Sequence, residues 1–419
     1  MLLSPEESLF ESSFRGVGYP IGNRERPAAV KLGAAGAPPL ARPALTRAGC
    51  SGTRLRSMTN KPIRWGILGT AQIARKNWHA IYNTGDATVT AVASRDKARS
   101  RQFIADCQGA KPMASVPEAY GSYEELLASK NVDAVYIPLP TSVRKPWVIR
   151  AAKAGKHVLC EKPCAVTAPD LEEMLEACRK GGVQFMDGVM FDHSLRMPAM
   201  RKVLDDGASV GAIRRITSAF AFRGQGSFVE TNIRADGALE PLGCLGDLGW
   251  YCIRLSLWAM GWQVPRVASA QLISHTGRAG SRPVPMDLTA ELMFDGGVSA
   301  GFSCSFTTAL QQWAIVSGTE GQLMVPDFVL PSAGAELEFD VVGTRGLGDA
   351  LDPSFVRDSK RITVAEHGEC HPTAQETRMF RDFGDQIRSG TLNALWPEIS
   401  LKTQRIADEC YAAASSGLA

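Results

Sequence analysis

From Ile63 onward, short apolar runs alternate with stretches of helical period. Ile63–Leu68 is a compact apolar run that stops at Gly69 and reads as a buried parallel strand. Thr70–Lys76 takes up helical spacing, and Val89–Ala93 is a second strand. Asp96–Gln108 and Tyr123–Leu127 read as helices, and Val132–Ile137 as a strand stopped by Pro138 and Pro140. A helix over Val148–Ala154 ends at Gly155 and leads into a strand at Lys156–Cys160. This alternation implies a doubly wound parallel sheet with its ligand at the carboxyl ends of the strands. After about Val183 the pattern changes to strands: Ile213–Phe222, Val267–His275, Leu288–Phe294, Val298–Phe306 and Trp313–Ser317. Asp295-Gly296-Gly297 is a hairpin turn, and Leu248–Met260 is a helix apolar on most sides. The expected architecture is α/β over residues 61–183, then a strand-rich α+β domain over 184–419.

The first sixty residues carry no such period and are rich in Gly, Pro, Ala and Arg. A segment of that composition cannot bury enough apolar area to form a core, and is expected to be disordered. It fits a transit peptide, although Glu6, Glu7 and Glu11 stand near its start; alternatively Met58 is the true beginning. A net charge of +3 gives no electrostatic case for nucleic acid, and no apolar stretch reaches the roughly 18 residues of a membrane span. The ten cysteines are scattered, which suits reduced thiols in cytoplasm or chloroplast stroma. His367, Cys370 and His371 lack further ligands at zinc spacing, so no metal is expected.

The chemistry begins at Gly69. With Ala71 and Ala74 it takes the positions of a G-x-G-x-x-G turn, so that Gly69, Thr70, Ala71 and Ile73 would face a pyrophosphate. A purely structural glycine turn would explain the motif taken alone. At the end of the second strand, where a carboxylate would hold a ribose 2′-hydroxyl, stand Ser94 and Arg95. A hydroxyl and a guanidinium suit a 2′-phosphate and favour NADP(H); a solvated Arg95 with Asp96 on the ribose is the alternative. Pro138, Leu139, Pro140 and Ser142, and Glu161, Lys162 and Pro163, lie at later strand ends and should share the cleft. Arg196 is a candidate substrate or cofactor contact, or else a surface arginine.

Gly66-x-x-Gly69-x-Ala71-x-Ile73-Ala74, Ala154-Gly155-Lys156-His157-Val158-Leu159-Cys160-Glu161-Lys162-Pro163 and Gly246-Asp247-Leu248-Gly249-Trp250-Tyr251 together resemble the Gfo/Idh/MocA oxidoreductase family. Pro138-Leu-Pro-Thr-Ser142, Met186-Asp-Gly188 and the stretch Asp247–Arg254 look like a plant and algal branch related to dimeric dihydrodiol and NADP-dependent D-xylose dehydrogenases. The resemblance implies a Rossmann domain, then a large open mixed sheet whose free face forms a homo-oligomer, commonly a dimer. It implies hydride transfer between NADP(H) and a sugar, polyol or diol. It assigns the catalytic roles to Lys162, Tyr251 and Asp247, with Tyr251 where relatives often have histidine. A phenol needs roughly 2.7 kcal/mol to fall from a pKa of about 10 to about 8. An ammonium at ~4 Å contributes about 4 kcal/mol at an effective dielectric of about 20, so Lys162 beside the Tyr251 hydroxyl could suffice. Arg144 stands where relatives often have another histidine, which points to altered nicotinamide contacts or an anionic substrate. The competing readings are an NADP(H)-binding regulatory protein with little turnover, and a structural carbohydrate-binding role. Taken singly, Tyr251 could equally be a core tyrosine and Lys162 a solvated strand-end lysine.

Overall fold

The computed structural model describes residues 61–347, 354–368 and 371–416. The N-terminal extension, Met58 and Cys370 lie outside them.

The first half is β1 (Ile63–Leu68), α1 (Gln72–Thr84), β2 (Ala87–Ala93), α2 (Lys97–Ala110), β3 (Glu118–Tyr120), α3 (Tyr123–Ala128), β4 (Ala134–Ile137), α4 (Thr141–Lys153), β5 (His157–Cys160), α5 (Ala168–Gly181) and β6 (Phe185–Asp187). Its six strands are parallel in the order β3-β2-β1-β4-β5-β6. β1, β4 and β5 are almost wholly buried, as strands covered by helices on both faces must be. Helix starts follow local chemistry: Asp96, Ser122 and Thr167 accept from backbone amides in the first turns of α2, α3 and α5. The sheet continues past residue 183 to take in β6.

Helix α4 starts at Thr141 and not near Val148, with Pro146 inside it. Tertiary bonds explain the difference. Glu240 accepts from both the amide and the hydroxyl of Thr141, and the Ser142 amide donates to the Leu239 carbonyl. They fix the first turn despite the proline.

A 3-10 turn (Met190–His193) and α6 (Arg196–Leu204) lead to β7 (Ile213–Ala221). There follow α7 (Phe228–Thr231), a 3-10 turn (Ile233–Ala235), a π-helical turn (Leu245–Gly249) and α8 (Trp250–Ala259). The remaining strands are β8 (Arg266–Thr276), β9 (Val284–Met293), β10 (Ser299–Ser305), β11 (Ala314–Gly318), β12 (Gln322–Val325), β13 (Leu337–Leu347) and β14 (Ser354–Val364). With β7 they form a mixed sheet in the order β14-β13-β12-β11-β7-β10-β9-β8, in which only β7 and β10 pair in parallel. β9 and β10 meet across Asp295-Gly296-Gly297 as expected. β12, β13 and β14 go beyond the strands expected. β14 is exposed or half-buried along its whole length, so its sequence lacks the apolar alternation that marks a strand.

The chain then returns to the parallel sheet. α9 (Gln375–Ser389) sets Phe380 and Phe383 against Trp65, with ring centroids 5.0 and 5.5 Å apart. α10 (Leu395–Ser416) packs along α5, β6 and β8. No helix among the described residues is long and apolar enough to cross a membrane.

Two buried arginines carry structural charge. Arg196 is neither at the surface nor in a cleft: it is 1% exposed and pairs with Asp327 at 2.5 Å. Arg254 on α8 is fully buried and bridges Asp187, at the end of β6, and Asp192, at 2.5 and 2.7 Å. Removing one partner of a buried ion pair strands the others without water. Arg254→Ala should therefore lower unfolding free energy by about 3–5 kcal/mol, read from urea melts; an unshifted midpoint would refute the bridging role.

Candidate active site

The end of β5 and the π-helical turn face each other. Lys162 Nζ donates to the Asp247 carboxylate at 2.6 Å and to its carbonyl at 2.7 Å. Arg234, on the 3-10 turn Ile233–Ala235, donates through Nε to the other carboxylate oxygen at 2.7 Å. One carboxylate thus holds two cations. Burial opposes its ionisation, but Arg234 and Lys162 outweigh that and keep Asp247 well below the usual carboxylate range. An ammonium has three donors, and Asp247 engages two of those on Lys162.

Tyr251 is the second residue of α8 and is 5% exposed. The expected pairing of Lys162 with its hydroxyl is not what the structure shows. Nζ stands over the ring, 4.8 Å from the centroid, while the hydroxyl points to Met190 Sδ at 3.6 Å. Burial, with the Glu161 and Asp247 carboxylates nearby, raises the phenol well above its ordinary value. Lys162 is drawn to Asp247, and its charge lies where ring electrons, not the phenolic oxygen, receive it. Tyr251 is therefore a neutral phenol here.

Glu161 accepts from the Tyr136 hydroxyl at 2.5 Å and from the Lys162 amide at 3.2 Å, and Tyr136 in turn accepts from Asn77 at 2.6 Å. These bonds fix the loop that carries Lys162. Arg144, a candidate nicotinamide or substrate contact, is 4% exposed and donates to the carbonyls of Leu139, Glu161 and Pro163. It ties the two strand-end loops together through Nε and Nη1, which leaves Nη2 as its remaining donor group.

The nucleotide cleft is built from the β1 end. Gly69 has φ +110°, and a Cβ there would lie 3.0 Å from the Leu139 side chain. Ala71 caps α1 without a side-chain bond, leaving first-turn amides for an anion. Thr70 and Ala71 are half-buried and Ile73 is 40% exposed. Pro138, Leu139 and Pro163 are buried at the cleft floor; Pro140 and Ser142 are half-buried. The Ser94 hydroxyl is engaged within its own turn, donating to the Asp96 carbonyl at 2.5 Å. The Asp96 carboxylate caps α2 through the Ala98 amide. Arg95 is exposed, with no carboxylate partner among the described residues. Open amides beside an unpaired guanidinium fit a dinucleotide with an extra phosphate. The described residues contain no cluster of metal-ligating side chains, and their eight cysteines are buried free thiols.

Arg234 is the site residue that sequence reasoning missed. Its signal was faint: a lone arginine ahead of the Gly246-Asp247 turn.

Residues 63–189 match the model of an oxidoreductase family with an NAD-binding Rossmann fold, and residues 197–324 match a GFO/IDH/MocA C-terminal domain. A D-xylose 1-dehydrogenase (NADP(+)) of Haloferax volcanii is 32% identical over 358 residues, covering 85% of this chain and 98% of that protein. The trans-1,2-dihydrobenzene-1,2-diol dehydrogenase of Mus musculus is 33% identical over 73% of this chain and 86% of its own. The chain belongs to the Gfo/Idh/MocA oxidoreductase family. A 3-ketoreductase from Actinomadura kijaniata, solved with NADP, superposes with a TM-score of 0.67 at 26% identity, over 84% of this chain and 98% of that one. Both sheets described above are those of the family fold, and the protein is an oxidoreductase.

Because Asp247 is held low in the fold, its stabilisation is complete above the unfolded carboxylate pKa of about 4 and is lost as pH falls through its folded value. The stability gap between the protein and Asp247→Asn should be flat from about pH 5 to 8 and narrow below about pH 4 in urea melts.

Proposed function

We propose that this site transfers a hydride between NADP(H) and a CH–OH or carbonyl group of a sugar, polyol or diol. The observation that supports it is the meeting of Lys162, from the end of β5, with Asp247 and the Tyr251 ring, in a fold whose α1 begins without a side-chain cap. A nicotinamide held there would supply the hydride or accept it. The remaining ammonium hydrogen of Lys162 polarises the substrate oxygen. Tyr251, held protonated, suits the proton donor to the developing alkoxide in reduction, and in the reverse direction the same atom would take the proton back. Asp247 orients Lys162 and keeps both cations in register. Gly69, Thr70, Ala71 and Ile73 would receive the pyrophosphate, and Arg95 the 2′-phosphate. Pro138, Leu139, Pro140, Ser142, Glu161 and Pro163 would frame the nicotinamide half. The xylose and dihydrodiol enzymes among the relatives support the substrate class.

We assign residues 61–183 to the nucleotide-binding domain and 184–419 to the substrate domain, and a homodimer to the sheet face away from the helices. Outward side chains there, such as Gln271, Thr289 and Ser303, align across three paired strands. We place the protein in cytoplasm or chloroplast stroma, consistent with the reduced thiols.

A panel of aldoses and diols, assayed with NADP+ and NADPH, tests the reading. Tyr251→Phe should lower kcat by about 10²–10⁴-fold with KM within a few-fold. NADPH binding without turnover of any substrate would instead support a regulatory role. Arg95→Ala should raise KM for NADPH at least about tenfold and leave NADH unchanged, since one charge-assisted pair is worth about 1.5–3 kcal/mol; equal effects on both cofactors would exclude a phosphate contact.

A further inference from the structure

A cavity of about 470 Å3 lies away from Lys162 and Tyr251, with Trp258, Trp262, Trp396, Asp192, His193 and Arg201 in its walls. It sits at the far end of α8, the helix whose first turn carries Tyr251. Trp258 follows seven residues later, about 10 Å along the axis.

The backbone makes an unusual provision for one of these indoles. Trp262 has φ +67°, the only positive φ outside glycine among the described residues. A bulky side chain in that region is a true outlier, of the kind that clusters at ligand sites. Gly261 precedes it at φ +61°, the Trp262 amide donates to the Leu257 carbonyl at 2.7 Å, and its own carbonyl accepts from Lys402 Nζ at 3.0 Å. The turn is thereby held, and the indole is half-exposed.

The other two are braced as well. Trp396 stacks on Phe383 with centroids 6.1 Å apart and meets His193 edge-on at 6.2 Å. The Arg201 guanidinium lies 4.9 Å above Trp258. None of the three indole nitrogens finds an acceptor among the described residues, and none is sealed from solvent. Around them stand three carboxylates: Asp187, paired with Arg254, Asp192, one of whose oxygens has no donor, and Asp382, which His193 holds at 2.7 Å.

The walls thus offer flat apolar faces, hydrogen-bond donors and hydrogen-bond acceptors together. An organic cation would meet Arg201 and Arg254; an anion would meet Asp192 and Asp382. A hydroxyl answers both kinds of wall, since it donates and accepts. A pyranose or cyclic polyol also presents a C–H face to an indole. We propose that this cavity is a second binding site, for a neutral polyhydroxylated ring, separate from the reaction centre.

Calorimetric titration of the full chain with methyl β-D-xylopyranoside and methyl α-D-glucopyranoside tests this. Saturable binding of at least one glycoside is expected. It should weaken at least tenfold in Trp262→Gly and in Trp396→Ala, and be unchanged in Tyr251→Phe. Trp262→Gly is chosen because glycine adopts φ +67° without strain, so its thermal midpoint should stay within a few degrees of the parent. Absence of saturable binding, binding that both tryptophan variants retain, or binding lost in Tyr251→Phe would each overturn the proposal. So would tighter binding of tetramethylammonium than of either glycoside. The test is independent of the hydride-transfer reading, which fails on absent turnover.

Discussion

A single carboxylate is shared by two cations where the two sheets meet, and the local geometry follows from that sharing. Asp247 comes from the π-helical turn, Lys162 from the end of β5 and Arg234 from a loop before the turn. Each alone would be free to move. Joined, they fix the distance between the parallel sheet and α8, and with it the height of Lys162 above the Tyr251 ring.

A second layer of bonds supports the first from behind. Arg144 gathers the carbonyls of Leu139, Glu161 and Pro163, and Tyr136 links Glu161 to Asn77 on α1. Burial raises the Tyr136 phenol well above its ordinary value, with the Glu161 carboxylate adding to the effect, so it remains a donor. The helix that would meet the pyrophosphate and the loop that carries Lys162 are therefore parts of one hydrogen-bonded unit.

Much of this was legible in the sequence because it depends on short-range pattern. The strand ending at Gly69, the capped helices after Asp96 and Ser122, and the hairpin at Asp295-Gly296-Gly297 all announce themselves locally. Lys162, Asp247 and Tyr251 were found together through motifs, and they do converge. What eluded sequence reasoning depends on partners far along the chain. Arg144 and Arg196 are long cations whose burial is set by distant carbonyls and by Asp327. The early start of α4 is set by Glu240, ninety-nine residues after Thr141. Arg234 became visible only once its loop was folded against Asp247. The direction of Lys162, toward the ring and not the hydroxyl, follows from a carboxylate that no spacing rule places.

The π-helical turn at Leu245–Gly249 has a consequence for how this site could change over time. Such a turn holds one more residue than an α-helical one, and each residue of the following α8 adds about 100° of rotation. Loss of a single residue there would swing the Tyr251 side chain away from Lys162 by about that angle, whatever its identity. Exchange of one side chain for another at position 251 leaves the register intact. The length of this turn therefore constrains where side chain 251 points more tightly than the identity of that side chain does.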